Sequence, residues 1–214
     1  MNPSSPSSVR AAFGLVLGIV LLAGFVDAYS FVRFQEVFVS FMSGNTTSLG
    51  VAVAEHHVAY AQRLGLVLGL FVGGVVLGTL LHQRLGPRWA APGLLVLVAA
   101  LLLAAQEYPA LGIEGLTLAM GVLNASVHQV GDTPVSLTYF TGALVKFGTG
   151  LAQLLSGRPQ SGQWLGQLGL WLGFLAGAVA GAFALGRLPN LALPLAAGFG
   201  LALAALALVA RGWR

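Results

Sequence analysis

Three apolar runs, Leu64–Leu81, Leu94–Ala105 and Leu191–Ala210, constrain this chain more than any other feature, because almost no polar residue interrupts them. About 20 such residues on a helix cover the ~30 Å of bilayer hydrocarbon, and a helix satisfies its own backbone hydrogen bonds there. A membrane barrel would instead alternate apolar and polar residues in strands of about ten. Continuous runs therefore predict an all-α integral membrane protein. Composition agrees: 57% of the 214 residues are hydrophobic and 7% are charged, against about 25% charged in soluble domains.

The net charge of +4 does not point to nucleic acid. Arg10, Arg63, Arg84, Arg88, Arg158, Arg187, Arg211 and Arg214 stand singly at the ends of apolar blocks, where cations set orientation and snorkel to headgroups. The chain has no cysteine, which removes disulfides, thiolate metal sites and thiol nucleophiles. No cofactor is implied. Arg10, the run Ala11–Ala23 and then Val26-Asp27-Ala28 resemble a cleavable signal peptide. Residues 24–50 belong to an internal repeat, however, so the segment is expected to stay as a membrane span.

Eight apolar stretches can be marked, near 10–28, 37–54, 63–82, 91–106, 111–127, 135–155, 164–186 and 190–210. The second is broken by Ser43-Gly44-Asn45-Thr46-Thr47-Ser48, and the sixth by Thr138-Tyr139-Phe140-Thr141-Gly142 and then Lys146. These weak stretches hold equivalent places. Gly24, Asp27 and Ala28 match Gly121, Asn124 and Ala125 at an offset of 97. Val37, Ser43-Gly44 and Gly50 match Val135, Thr141-Gly142 and Gly148 at an offset of 98, and Arg84-Leu85-Gly86-Pro87 answers Arg187-Leu188-Pro189. An ordered set of this kind indicates duplication. The expected organisation is a disordered cytoplasmic tail (1–9) and two membrane repeats (10–108 and 111–214).

Each repeat is expected to hold three full spans and one broken or re-entrant segment. Six spans with both termini inside put Arg10, Arg84, Arg88, Arg158, Arg211 and Arg214 on the cytoplasmic face, against Arg33, Arg63 and Arg187 outside. Eight spans split the arginines almost evenly. Six spans, with inverted repeats, are therefore preferred over eight with parallel ones.

Gly24-Phe25-Val26-Asp27-Ala28, followed by Phe38-Val39-Ser40-Phe41-Met42-Ser43-Gly44-Asn45-Thr46, resembles the YoaK-like family of small bacterial multi-pass membrane proteins. That family reads Gly-x-x-Asp-Ala and then an aromatic-Val-x-x-Met-[Ser/Thr]-Gly-Asn-Thr block, with Gly-x-x-Asn-Ala and Thr-Gly in its second half. Gly121, Asn124, Ala125, Thr141 and Gly142 match the latter. Where members usually carry a cation soon after Asn-Ala, Ser126-Val127-His128 stands instead. The resemblance covers essentially the whole chain. It implies about six helices and the bacterial inner membrane, and it supplies no activity.

Candidate chemistry follows from charge at depth. Asp27 lies ~25 Å along a helix from Arg10, where an isolated charge costs several kcal/mol unless it faces a cavity or partner. The Ser43–Ser48 run suggests unwound backbone whose helix ends bind an ion or solute, as in transporters built from repeats; helix packing by small residues is the plainer alternative. Lys146, the only lysine, is a snorkelling residue, an anion contact or the counter-ion of Asp27. Pro134 fits the first position of a helix, with Asp132 or Thr133 capping it. The expected solute or ion site is thus Asp27, Ser43, Gly44, Asn45, Thr46, Asn124, Thr141, Gly142 and Lys146, where the two broken segments meet at mid-membrane.

Glu55-His56-His57 suggests a metal, but adjacent histidines diverge on a helix and no cysteine or further nearby histidine completes a set. His82 and His128 stand apart from it in sequence. Gly73-Gly74-x-x-x-Gly78 and Gly173-x-x-x-Gly177-x-x-x-Gly181 predict close helix packing, within the bundle or across a homodimer. The leading expectation is a small-solute or ion transporter or channel without enzymatic activity. The alternatives are a structural or partner-binding membrane protein, and an enzyme acting on a lipid or quinone through Glu55, His56 and His57.

Overall fold

The computed structural model describes residues 6–126, 129–130, 133–134, 140–157 and 162–209. Seven helices account for nearly all of them: α1 (Pro6–Arg33), α2 (Met42–Ala54), α3 (Val58–Glu107), α4 (Gly112–Ala125), α5 (Phe140–Leu155), α6 (Gln163–Arg187) and α7 (Ala192–Val209). The other regular elements among the described residues are two paired two-residue strands, β1 (Gln129–Val130) and β2 (Thr133–Pro134), and a single 3₁₀ turn at Pro109–Leu111. Pro134 therefore lies in a strand and does not open α5.

Four helical segments are long and apolar enough to cross a bilayer: Ala12–Arg33, Val58–Glu107, Trp164–Arg187 and Ala192–Val209. The second has 50 residues, roughly 75 Å of helix and more than twice the hydrocarbon thickness. It is divided at Gly86, whose φ of 71° and ψ of 167° leave the helical region. Pro87 disfavours helix at the preceding residue, and only glycine takes that φ without strain. Arms 58–85 (α3a) and 87–107 (α3b) result. α2, α4 and α5 have 13, 14 and 16 residues, roughly 20, 21 and 24 Å, each short of the ~30 Å of hydrocarbon as a helix alone.

The core lies where α1, α3b, α4 and α7 converge. Leu15, Ile19 and Leu22 pack there with Leu94, Leu95 and Leu102, Leu116, Met120 and Leu123, and Leu193, all fully enclosed. Outward faces are apolar too, including Val72, Val76, Val179 and Phe183. That is the composition expected where the surrounding solvent is lipid.

Backbone approaches at glycines fix the helix directions. A side chain at Gly173, Gly177 or Gly181 would strike Leu17, Leu21 or Phe25, so α1 and α6 run parallel. Gly74 meets Leu118 and Gly121 while Gly78 meets Ala125, so α3a and α4 also run parallel. Gly18 lies by Leu203 and Gly200 by Leu22, making α7 antiparallel to α1. Gly200 is also level with Leu95 and Ala99, and Gly112 with Phe34 and Ala105. Phe34, just past the end of α1, thus sits with the end of α3b and the start of α4. The two parallel pairs repeat one another: Gly24 abuts the Phe174 carbonyl as Gly121 abuts that of Phe71, and Gly177 abuts the Leu21 carbonyl as Gly74 abuts that of Leu118. The offset of 97 carries α1 onto α4, and 103 carries α3a onto α6.

The glycine stripes read from the sequence are therefore largely consumed inside the bundle. Gly74, Gly78, Gly177 and Gly181 have no room for a side chain against the facing backbone and Gly173 lies against the Leu17 side chain, whereas nothing lies against Gly73. The homodimer expected through these faces gains no support from their packing.

Candidate functional site

The broken segment lies earlier than the polar run suggested. Ser43–Ser48 is regular helix within α2, and Thr141–Lys146 is helix within α5. The hydroxyls that made α2 look unwound are turned onto their own helix: Thr46 Oγ1 donates to the Met42 carbonyl at 2.8 Å and Thr47 Oγ1 to that of Ser43 at 3.1 Å. The non-helical stretch is Phe34–Phe41.

Its backbone is held by side chains on both flanking helices. α1 ends with Phe34 N–H donating to the Ser30 carbonyl and Glu36 N–H to that of Phe31, at 2.8 and 2.9 Å. Gln35 and Glu36 take left-handed φ values of 58° and 65°, an arrangement that closes a helix but costs energy in residues with a Cβ. The chain then turns back along α1. Ser30 Oγ donates to the Val37 carbonyl at 3.1 Å. Asp27 Oδ1 accepts from the amides of Val39 and Ser40, both at 2.8 Å. From the other side Asn45 Oδ1 accepts from Phe38 N–H at 3.1 Å, while its Nδ2 donates to the Phe38 carbonyl at 2.7 Å. Asn45 thus supplies the donor and acceptor a strand neighbour would offer. Gly44 leaves space for the Phe41 and Phe38 rings, which meet edge to face at 5.2 Å.

Asp27, Ser30, Ser40 and Asn45 are all buried, Asp27 at 4% exposure. Among the described residues no cation accompanies the carboxylate. An ion pair joins Glu55 and His57 at 3.4 Å, on the exposed surface and away from Asp27. Lys146 is exposed on α5, so the expected Asp27–Lys146 pair is absent. Backbone amides do what the lysine was expected to do, because two aligned N–H dipoles at 2.8 Å stabilise an anion as a charge-assisted pair.

Two groups of expected site residues remain apart. Asp27 and Asn45 are joined through Phe38–Ser40; Gly44 and Thr46 lie beside them, and Ser43 is exposed. In the second half Asn124 Nδ2 donates to the Met120 carbonyl at 2.9 Å, Gly142 is buried and Thr141 is exposed. Thr138 and Tyr139 lie outside the described residues, as do Asp132 and His128. α2 packs against α3 and α5 against α6, and the two short helices do not touch. A site between them at mid-membrane is thus not formed. The two short helices lie on different neighbours, a separation that similarity of sequence does not reveal. Sequence reasoning also passed over Ser30 and the amides of Val39 and Ser40. Ser30 follows Asp27 by three residues on the same helix face, and that spacing was the available signal.

Helical arms of spanning length, lipid-compatible outer faces and a polar knot closed by side-chain-to-backbone bonds define a helical multi-pass transmembrane protein. The family model for a protein of unknown function, DUF1275, matches residues 15–207. A relative, the UPF0700 transmembrane protein RA0705 of Rhizobium meliloti (strain 1021), is 40% identical over 189 residues, covering 86% of this chain and 81% of the relative. The chain belongs to the DUF1275 family, in agreement with the resemblance carried by its Gly-x-x-Asp-Ala and Ser-Gly-Asn-Thr blocks. No solved structure matches it.

Proposed function

We propose that this protein is a small-solute or ion transporter of the bacterial inner membrane, with six crossings, inverted repeats and both termini in the cytoplasm. The helix directions support the crossing number. α1 and α3b run parallel, since Leu22 is level with Ala99 through Gly200, and Phe34 with Ala105 through Gly112. α3a then descends from the face at which α1 ends, so α2 enters and leaves on that face. α4 descends beside α3a and α6 rises beside α1, so α5 enters and leaves on the opposite face. The matched glycine contacts in α1/α6 and α3a/α4 support the repeat.

The observation that carries the transport reading is Asp27. Its carboxylate is buried on a spanning helix with no cationic partner, and it holds the backbone break that leads into a half-helix. Ionisable groups at such depth mark ion or proton paths, and breaks of this kind accompany substrate sites in transporters built from repeats. Neutralising the carboxylate with a proton or cation weakens its hold on Val39 and Ser40 and frees Phe34–Phe41 to move. A second reading rests on the same bonds: Asp27 is a structural staple and the protein a scaffold.

Liposomes carrying purified protein and a pH-sensitive dye separate the two. Under an imposed pH gradient, a panel of alkali ions, small amines and small carboxylates is added in turn. At least one should speed collapse of the gradient in wild type and none in Asp27→Asn. A panel without effect on wild type, or equal rates in the variant, refutes the transport reading.

A further inference from the structure

Two polar atoms on α4 are enclosed without any hydrogen-bond partner: Glu114 Oε2 and Thr117 Oγ1. Thr117 is fully buried, and Glu114 is part-buried with Oε2 turned inward. Separated by three residues, they are neighbours on the helix surface, their Cβ atoms about 5–6 Å apart. Buried threonine hydroxyls and carboxylate oxygens nearly always find a partner, because leaving one unmade costs its full desolvation. Two adjacent orphans point to a missing third party.

The surroundings say which. Glu114, Leu118, Gly121 and Ala125 recur at helical spacing on one face of α4, and that face meets α3a through Gly74 and Gly78. The same register brings Glu114 level with Val67, which is buried and apolar. Arg63 stands one turn away on α3a and forms no ion pair with Glu114. Glu114 lies in the first turn of α4. One negative charge, a hydroxyl lone pair and no cluster of three acids or histidines among the described residues match a hard monovalent cation. A divalent ion would keep an uncompensated charge in an apolar interior.

We propose that Glu114 and Thr117 form a binding site for a sodium-sized monovalent cation, bound through Oε2 and Oγ1. This site is separate from Asp27 and does not depend on transport by the protein.

Thermal unfolding of the detergent-purified protein, with sodium chloride replacing N-methylglucamine chloride at fixed ionic strength and pH, tests it. Wild type should show a saturable rise in Tm with sodium. Glu114→Gln and Thr117→Val should each abolish the rise. Thr117→Val also serves as the folding control: without sodium it should be at least as stable as wild type, since it removes an unbonded hydroxyl at equal volume. Equal wild-type Tm values in the two salts, or a rise that survives in either variant, overturn the site.

Discussion

Replacing Asp27 by alanine removes the acceptor of two buried amides while leaving the helix it sits on intact. Hydrogen bonds to a charged group contribute ~1.5–3 kcal/mol each, and a buried donor left unmade carries its desolvation cost. Val39 and Ser40 are both enclosed, so neither amide has water to turn to. Allowing for partial relaxation of Phe34–Phe41, Asp27→Ala should cost about 3–5 kcal/mol. Asp27→Asn keeps an acceptor oxygen and loses the charge, for a cost of about 1–2 kcal/mol. For a chain of this size 1 kcal/mol corresponds to ~2–4 °C in Tm. The alanine variant should therefore unfold roughly 10 °C below wild type in detergent, followed by the fluorescence of the protein's tryptophans, with asparagine between the two. An alanine variant as stable as the asparagine one would refute the reasoning, since the amides would then not depend on residue 27.

Asn45→Ala should cost about 2–3 kcal/mol in the same assay, because both polar groups of Phe38 lose their partner, whereas Thr46→Val should stay within ~0.5 kcal/mol, its hydroxyl serving only its own helix. Gly24→Ala and Gly121→Ala should be equally damaging, at least ~1–3 kcal/mol each from backbone crowding, while Gly14→Ala, which faces open space, should not destabilise. Lys146→Met should leave Tm within ~0.5 kcal/mol of wild type, and its effect should simply add to that of Asp27→Asn. Recovery of stability in that double variant would instead demonstrate the pairing that the geometry denies.

The membrane class and the places of the long helices were legible because each rests on side-chain identity, and the matched glycines Gly24 and Gly121, which each abut a neighbouring carbonyl, were legible in the same way. The site was legible in its members more than in its geometry. Asp27 and Asn45 stood out as polar residues at depth, but their partners are amides and a carbonyl at Phe38–Ser40, and backbone groups carry no mark in a sequence. Ser43–Ser48 misled for a related reason. Small hydroxyl residues read equally as unwound chain or as helix, and only the bonds from Thr46 and Thr47 to carbonyls four residues back decide between them. The Asp27–Lys146 pair failed because α1, which carries Asp27, and α5, which carries Lys146, do not touch, and sequence leaves open which neighbour each helix packs on. Glu114 and Thr117 escaped notice altogether: at the end of an apolar stretch a single acid looks like an interfacial residue.

Six crossings with inverted repeats require that α2 and α5 re-enter the membrane from opposite faces. Because the protein lacks cysteine, single cysteines in place of Glu55, Arg88, Gly157 and Pro189 report their side of the membrane to an impermeant maleimide in intact spheroplasts. Labelling of the Glu55 and Pro189 variants from outside, with the Arg88 and Gly157 variants reached only after permeabilisation, is the predicted result. External labelling at Arg88 together with protection at Glu55 would mean that α2 crosses, and would contradict both the inverted repeat and the role given to the break at Phe34–Phe41.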